Sequence, residues 1–238
     1  MDNVNIPEDM DTVHIFDETA PVHTTQSKSD GPRAYHHGDL RRSLIEAALA
    51  LVTEEQDWTF SLREVARRAG VSHNAPYNHF ADKRELLAAV AVAGFDTLGE
   101  RLLAGTSGLE AADAALVKGG VIYVTFGVEN PAHYRLMFSS ALATARAGRP
   151  EPVAAAGART RSILAGIIRR GAVAGVFDAA FAEEQALEVA VLSAWSTVHG
   201  LTMLMIDRIA ESPQLGLDGL TQRIAGTLCC GLAGRRGP

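Results

Sequence analysis

At 238 residues the chain has the length of one to two domains, and with 47% apolar and 21% charged residues it has a folded soluble protein's composition, which excludes a fibrous or wholly disordered chain. Its two cysteines, Cys229 and Cys230, are adjacent with no other thiol to pair with, which excludes a disulfide framework and suits a reducing cytoplasm. The net charge of −6 resides in residues 1–32, where seven acids face Lys28 alone, leaving 21 residues of each sign in 33–238; the acidity therefore does not argue against a nucleic-acid partner.

Residues 1–32 mix scattered Pro, Ser and Thr with excess acid and are predicted to be a disordered acidic tail. Met1 to Ala20 lacks the basic segment and apolar core of a secretion signal. From Asp39 onward the chain reads as helix after helix, with no alternating strand run and no internal repeat, so the expected fold class is all-α. The first helix spans about Asp39 to Thr53, where Leu40, Leu44, Ile45, Ala48, Leu49 and Val52 form one apolar stripe and Asp39 is the expected N-cap. Ser61-Leu62-Arg63-Glu64 is a capping box for the second helix, with Phe60 and Val65 as its hydrophobic staple. That helix stops at Gly70, and Ser72 is expected to cap a third short helix through Tyr77 to Phe80. Asp82-Lys83-Arg84-Glu85 opens a longer fourth, to about Leu103.

After Gly105 and Gly108 a helix is predicted over about Leu109 to Val128, and Asn130-Pro131 supplies an N-cap and first-position proline for a short helix ending at Phe138. A loop at 147–152 precedes a helix from about Val153 to Ala174, ended near Gly175. The next helix spans about Ala182 to Arg208. Within it, Val189 to Ile206 carries no charge over 18 residues, the lower limit for a membrane span. Ser193, Ser196, Thr197, His199, Gly200 and Thr202 interrupt it, and its small residues share one face suited to close helix packing. A buried helix and no membrane partner are therefore predicted. Pro213 and Gly216 set off a last helix, about Leu217 to Leu232.

The informative segment is Ser61 to Lys83. Two short capped helices meet at Ala69-Gly70-Val71-Ser72, where the glycine permits a sharp reversal and the small apolar Val65, Ala66, Ala69 and Val71 permit a close crossing. A helix-turn-helix needs this arrangement, because its second helix must project into a major groove. The projecting helix carries His73, Asn74, Tyr77, Asn78 and His79, flat or amide-bearing groups able to meet base edges and phosphates.

From Tyr35 to Leu98 the chain resembles the DNA-binding domain of the TetR family, with LREVARRAGVSHNAPYNHFADKRELL following that family's pattern nearly position for position. The resemblance implies phosphate contacts from Ser61, Tyr77, His79 and Lys83, base contacts from His73, Asn74 and Asn78, and a DNA-reaching arm at Arg33, Tyr35, His36 and His37. Two positions depart from the pattern. Pro76 stands where a larger apolar residue is usual and removes a backbone donor, so a lost bond or local distortion is expected; Ala75 replaces a threonine that often touches phosphate.

Asn130 to Phe138, with Trp195 and His199-Gly200, resembles a C-terminal domain of that family, the WHG type. By resemblance this half encloses a small-molecule effector site and forms a homodimer through the last two helices. Candidate ligand-lining residues are Phe126, Tyr134, Met137, Phe138, Phe177, Trp195, His199 and Met203, which are also plain core residues at helical spacing. The implied organisation is a tail at 1–32, a helix-turn-helix domain at 33–98 and an effector and dimerisation domain at 99–238. The implied function is a cytoplasmic DNA-binding regulator, a repressor released from a pseudo-palindromic operator by a largely apolar effector. No cofactor or metal site is expected, since no phosphate loop, paired catalytic acids or ligand spacing is present. The competing expectations are an interaction protein of the same fold without DNA binding, or an enzyme acting on a small apolar ligand.

Overall fold

A computed structural model describes residues 37–143, 148–210, 212 and 214–234. The chain divides into two units, residues 1–35 and residues 36–238; the predicted tail and the arm residues Arg33, Tyr35 and His36 lie outside the described residues, as does the side chain of His37. Among the described residues there is no β-strand, and the fold is all-α.

Helix α1 spans His37–Glu55 and buries Leu44, Ala48 and Val52 completely, three positions of the predicted stripe. Asp39 is not its N-cap but stands in the first turn, where its carboxylate meets Arg42 at 3.5 Å. Helix α2 spans Leu62–Arg68 and helix α3 spans Lys83–Thr106. Helix α3 continues unbroken through residue 98 and past Gly105. At Gly105 the missing side chain admits Ile122, whose Cδ1 would lie 2.3 Å from a Cβ. The chain leaves that helical path at Gly108, in the left-handed conformation with φ +76°.

Helix α4 spans Ala112–Glu129 and α5 spans Pro131–Phe138. Asn130 does not cap α5 with its side chain; its Nδ2 donates backward to the Phe126 carbonyl at 2.9 Å, while its own carbonyl accepts from Tyr134 N–H at 2.8 Å. Helix α6 spans Glu151–Val173 and closes at Gly175, whose φ of +70° fits the left-handed turn after a helix. A 3₁₀ turn, Ala179–Ala182, precedes the next helix, which starts two residues later than predicted, so α7 spans Glu184–Ile206; α8 spans Gly216–Leu232.

One core cluster joins Leu44, Phe60, Phe80 and Leu86 of the first three helices and their connections to Phe95, Phe126, Tyr134 and Met137. A second joins α4, α6, α7 and α8 through Leu116, Ile167, Ile168, Leu187, Ala190 and Leu232. The uncharged helix departs from expectation. Leu187, Ala190, Ala194, Leu201 and Thr202 of α7 are buried, yet only 22% of its most apolar window is buried within the chain. The stripe containing Val189, Leu192, Ser193 and Ser196 faces outward instead.

Candidate functional site

The local chemistry of residues 61–85 builds a rigid frame. Ser61 Oγ accepts from Glu64 N–H at 3.3 Å, and the Glu64 carboxylate accepts from Ser61 N–H at 2.6 Å, a complete capping box. Both staple residues, Phe60 and Val65, are buried in the same core. At the other end Gly70 N–H donates to the Arg67 carbonyl at 3.2 Å and Val71 N–H to the Ala66 carbonyl at 3.0 Å, with Gly70 at φ +68°. This pair of bonds is the Schellman motif, and it fixes the angle at which the chain leaves α2.

The segment after the turn is a 3₁₀ helix, Ala75–Asn78, and not the longer helix expected from Ser72 to Phe80. The reason is Pro76, which has no N–H to offer the Ser72 carbonyl four residues back. That carbonyl accepts instead from Ala75 N–H at 2.9 Å, and the tighter spacing continues with Tyr77 to Asn74 at 3.2 Å and His79 to Pro76 at 3.0 Å. Asn74 is the N-cap residue and makes no side-chain cap bond, so the expected Ser72 cap is replaced by its carbonyl. Ala75, Pro76 and Phe80 turn inward to the core. His73, Asn74, Tyr77 and Asn78 are exposed together, Tyr77 to 55% despite its aromatic ring. Such an exposed cluster of amides and rings on a capped turn can meet bases and phosphates.

Beside it, Asp82 caps α3 by accepting from Glu85 N–H at 2.8 Å. Lys83 is half-buried, its Nζ 5.0 Å from the centre of the Phe60 ring, and partial burial depresses its affinity for a proton. His79 is half-buried. Ser61 is exposed, and because its cap bond uses a lone pair, its hydroxyl proton remains available to an external acceptor.

A second feature lies in the C-terminal half. Phe95, Leu98 and Leu102 of α3, Leu116 and Tyr123 of α4, Ile163 and Ile167 of α6, and Trp195 and Val198 of α7 enclose an apolar cavity, with about 60 Å³ of room for water-sized molecules. At its edge a polar chain crosses the core. Trp195 Nε1–H donates to Tyr123 Oη at 3.0 Å, Tyr123 and Tyr134 hydroxyls meet at 2.9 Å, and Tyr134 Oη meets His199 Nδ1 at 2.6 Å. Burial pushes the Tyr123 hydroxyl up to about 12 and Tyr134 higher still, and it lowers the affinity of His199 for a proton. All three are neutral at physiological pH. An adjoining opening is lined by Phe138, Arg149, Val153, Arg161, Trp195 and His199.

Of the residues singled out in the sequence, Phe138 and Trp195 line the cavity and His199 lines its opening. Phe126, Tyr134 and Met137 lie in the core outside the cavity wall, and Tyr134 joins the polar chain through its hydroxyl and through ring contacts with Tyr123 and His199. Phe177 packs elsewhere, over Gly171 in the second cluster, and Met203 packs against the first cluster. The sequence reading missed Phe95, Tyr123 and Arg161. Tyr123 sits on the apolar face of its helix and carried no motif; Arg161 is one arginine among several on α6 until Trp195 is placed beneath it.

Two family models match the chain: "Bacterial regulatory proteins, tetR family" over residues 44–90 and "Tetracyclin repressor-like, C-terminal domain" over residues 116–224. Among solved structures the chain is similar to a protein of unknown function from Rhodococcus sp. RHA1, at 30% identity and TM-score 0.70, covering 85% of this chain and 100% of that one. It also shares its fold with a TetR family transcription regulator from Marinobacter aquaeolei VT8, at 20% identity and TM-score 0.56, covering 79% and 94%. The fatty acid degradation regulator FadR from Bacillus halodurans shares the fold too, at 14% identity and TM-score 0.63, covering 80% and 98%. With its capped helix-turn-helix and its helical C-terminal half both matched, the chain belongs to the TetR family and is a DNA-binding transcription regulator.

Proposed function

We propose that this protein is a cytoplasmic repressor, dimeric through α7 and α8, that leaves a pseudo-palindromic operator when a small, largely apolar effector enters the C-terminal cavity. The observation that carries this reading is the course of α3. Its first turn, at Lys83, adjoins the recognition turn, and its middle, at Phe95, Leu98 and Leu102, is a cavity wall. At about 1.5 Å per residue, Leu98 lies roughly 22 Å along a stiff helix from Lys83. A molecule too large for the existing space moves that wall and tilts the helix, and with it the recognition turn. The effector shifts the balance only by its difference in affinity for the two arrangements.

The outward face of α7 supports the dimer. Val189, Leu192 and Leu204 are 63%, 54% and 42% exposed, and Ser193, Ser196 and Gly200 between them leave space for a second helix to approach closely. A two-fold pair presents its recognition turns to successive major grooves about 34–36 Å apart. Ser61, Tyr77, His79 and Lys83 then hold phosphates, His73, Asn74 and Asn78 meet bases, and the arm at Arg33, Tyr35 and His36 reaches along the groove.

The test is selection of bound genomic fragments by the full chain, followed by anisotropy titration of the selected DNA. A two-fold symmetric site bound by a dimer is expected. Binding to no fragment above the non-specific level overturns the reading and favours an interaction protein of the same fold.

A further inference from the structure

The opening beside the cavity holds two arginines with no carboxylate beside either among the described residues. Elsewhere on α6, the helix that carries Arg161, Arg159 pairs with Asp96 at 2.8 Å and Arg169 with Glu184 at 2.9 Å. Arg149 and Arg161 are held differently. Arg149 donates through Nη1 to the Met137 carbonyl at 2.8 Å, at the end of α5. The Arg161 guanidinium lies 5.3 Å from the centre of the Trp195 ring. A carbonyl and a ring orient these groups without neutralising them.

The two charges also feel each other. Partial burial, and then the nearby charge of Arg161, depress the affinity of Arg149 for its proton. Arg149 is half-buried and Arg161 exposed, so the cost of the like charge falls on Arg149, and an anion bound between the two relieves it. They stand at the mouth of a cavity whose walls are almost wholly apolar, and Arg161 lines both spaces. Arginine presents a planar fork that matches the oxygens of a carboxylate or phosphate.

We propose that the ligand of this site is an amphipathic anion, with its oxyanion head between Arg149 and Arg161 and its apolar tail in the cavity. This rests on the reading of the cavity as the effector site and narrows the effector's chemistry. His199 lines the same opening as a neutral ring, its Nδ1 engaged by tyrosine, and so adds polarity there without a competing charge.

Calorimetric titration of the full chain with decanoate, decyl phosphate and decanol tests the idea, alongside Arg149→Met and Arg161→Met. At least one anion is expected to bind about tenfold or more tightly than decanol, and whichever anion binds tighter names the head group. Each arginine variant is expected to bring the ratio of anion affinity to decanol affinity down to about one. Equal binding of all three by the wild type, or anion binding untouched by both substitutions, overturns the anion site and leaves the apolar cavity standing. Binding of none of the three overturns the cavity as an effector site as well.

Discussion

Replacing Gly127 by alanine tests how tightly α4, α5 and α7 are joined at the polar chain. A Cβ at this position would lie 2.2 Å from Thr202 Cγ2 and 3.0 Å from Tyr134 Cδ2. Ordinary carbon contacts are about 3.5–4.0 Å, so Thr202 must yield by roughly 1.5 Å. It is fully buried, and its hydroxyl is bound to the Val198 carbonyl at 2.7 Å, so a change of rotamer sacrifices that bond. Alanine gains about 1 kcal/mol over glycine in a helix interior, whereas overpacking a filled core costs about 1–3 kcal/mol and sometimes more. The lost hydroxyl bond adds about 1 kcal/mol to that cost, so the net effect is a destabilisation of about 1–3 kcal/mol. Gly166→Ala in α6 is the control, because nothing lies within 4 Å of a Cβ there, and the same change is expected to stabilise by up to about 1 kcal/mol. Urea unfolding of both variants at one protein concentration measures the two signs. A Gly127→Ala protein as stable as the wild type refutes the packing argument.

Ser61→Ala removes the side-chain half of the capping box and is expected to cost about 0.5–2 kcal/mol, read as a lower midpoint in urea; no shift means the box contributes nothing to stability. Lys83→Met is expected to lower the slope of log affinity against log salt by about 1, equally for all DNA sequences, and an effect confined to one operator base would count against a phosphate contact. Leu192→Glu places a charge on the outward apolar stripe of α7 and is expected to yield monomers in sedimentation, whereas a persistent dimer relocates the interface. Burial lowers the proton affinity of His133 and His199 below the ordinary 6.5, so the unfolded chain takes up protons that the folded one refuses. Stability is therefore full above pH 6.5 and declines as the pH falls from there toward the lowered folded values. Unfolding midpoints that coincide at about pH 7.5 and about pH 5.5 would refute this.

Signals that act over a few residues were legible without coordinates. The Ser61–Glu64 box and the left-handed Gly70 both satisfy backbone groups within one turn, and the sequence places both correctly, along with the opening of α3 at Asp82 to Glu85. Even the distortion at Pro76 was legible in kind, since a missing N–H is a property of the residue; that it tightens the whole segment into a 3₁₀ turn depended on Ala75, Pro76 and Phe80 also turning into the core. Asn130 stands at its expected N-cap position ahead of Pro131 but turns its amide back to the Phe126 carbonyl. Asp39 and Ser72 are not the caps expected of them, because neighbouring backbone groups decided where those helices begin.

Which side of a helix meets which neighbour is a different kind of fact. The uncharged run and its small-residue face marked α7 as a helix to be buried, but they carried no information on how much of it the rest of the chain would cover, and the packing of α4, α6 and α8 left one stripe open. The cavity depended likewise on elements far apart in the chain: Phe95, Tyr123, Arg161 and Trp195 converge from four helices. Sequence alone determined the DNA-reading unit, because its geometry follows from caps and turns within some two dozen residues. Only the tertiary structure decided where a ligand and a partner have room, because that room is what long-range packing leaves unfilled.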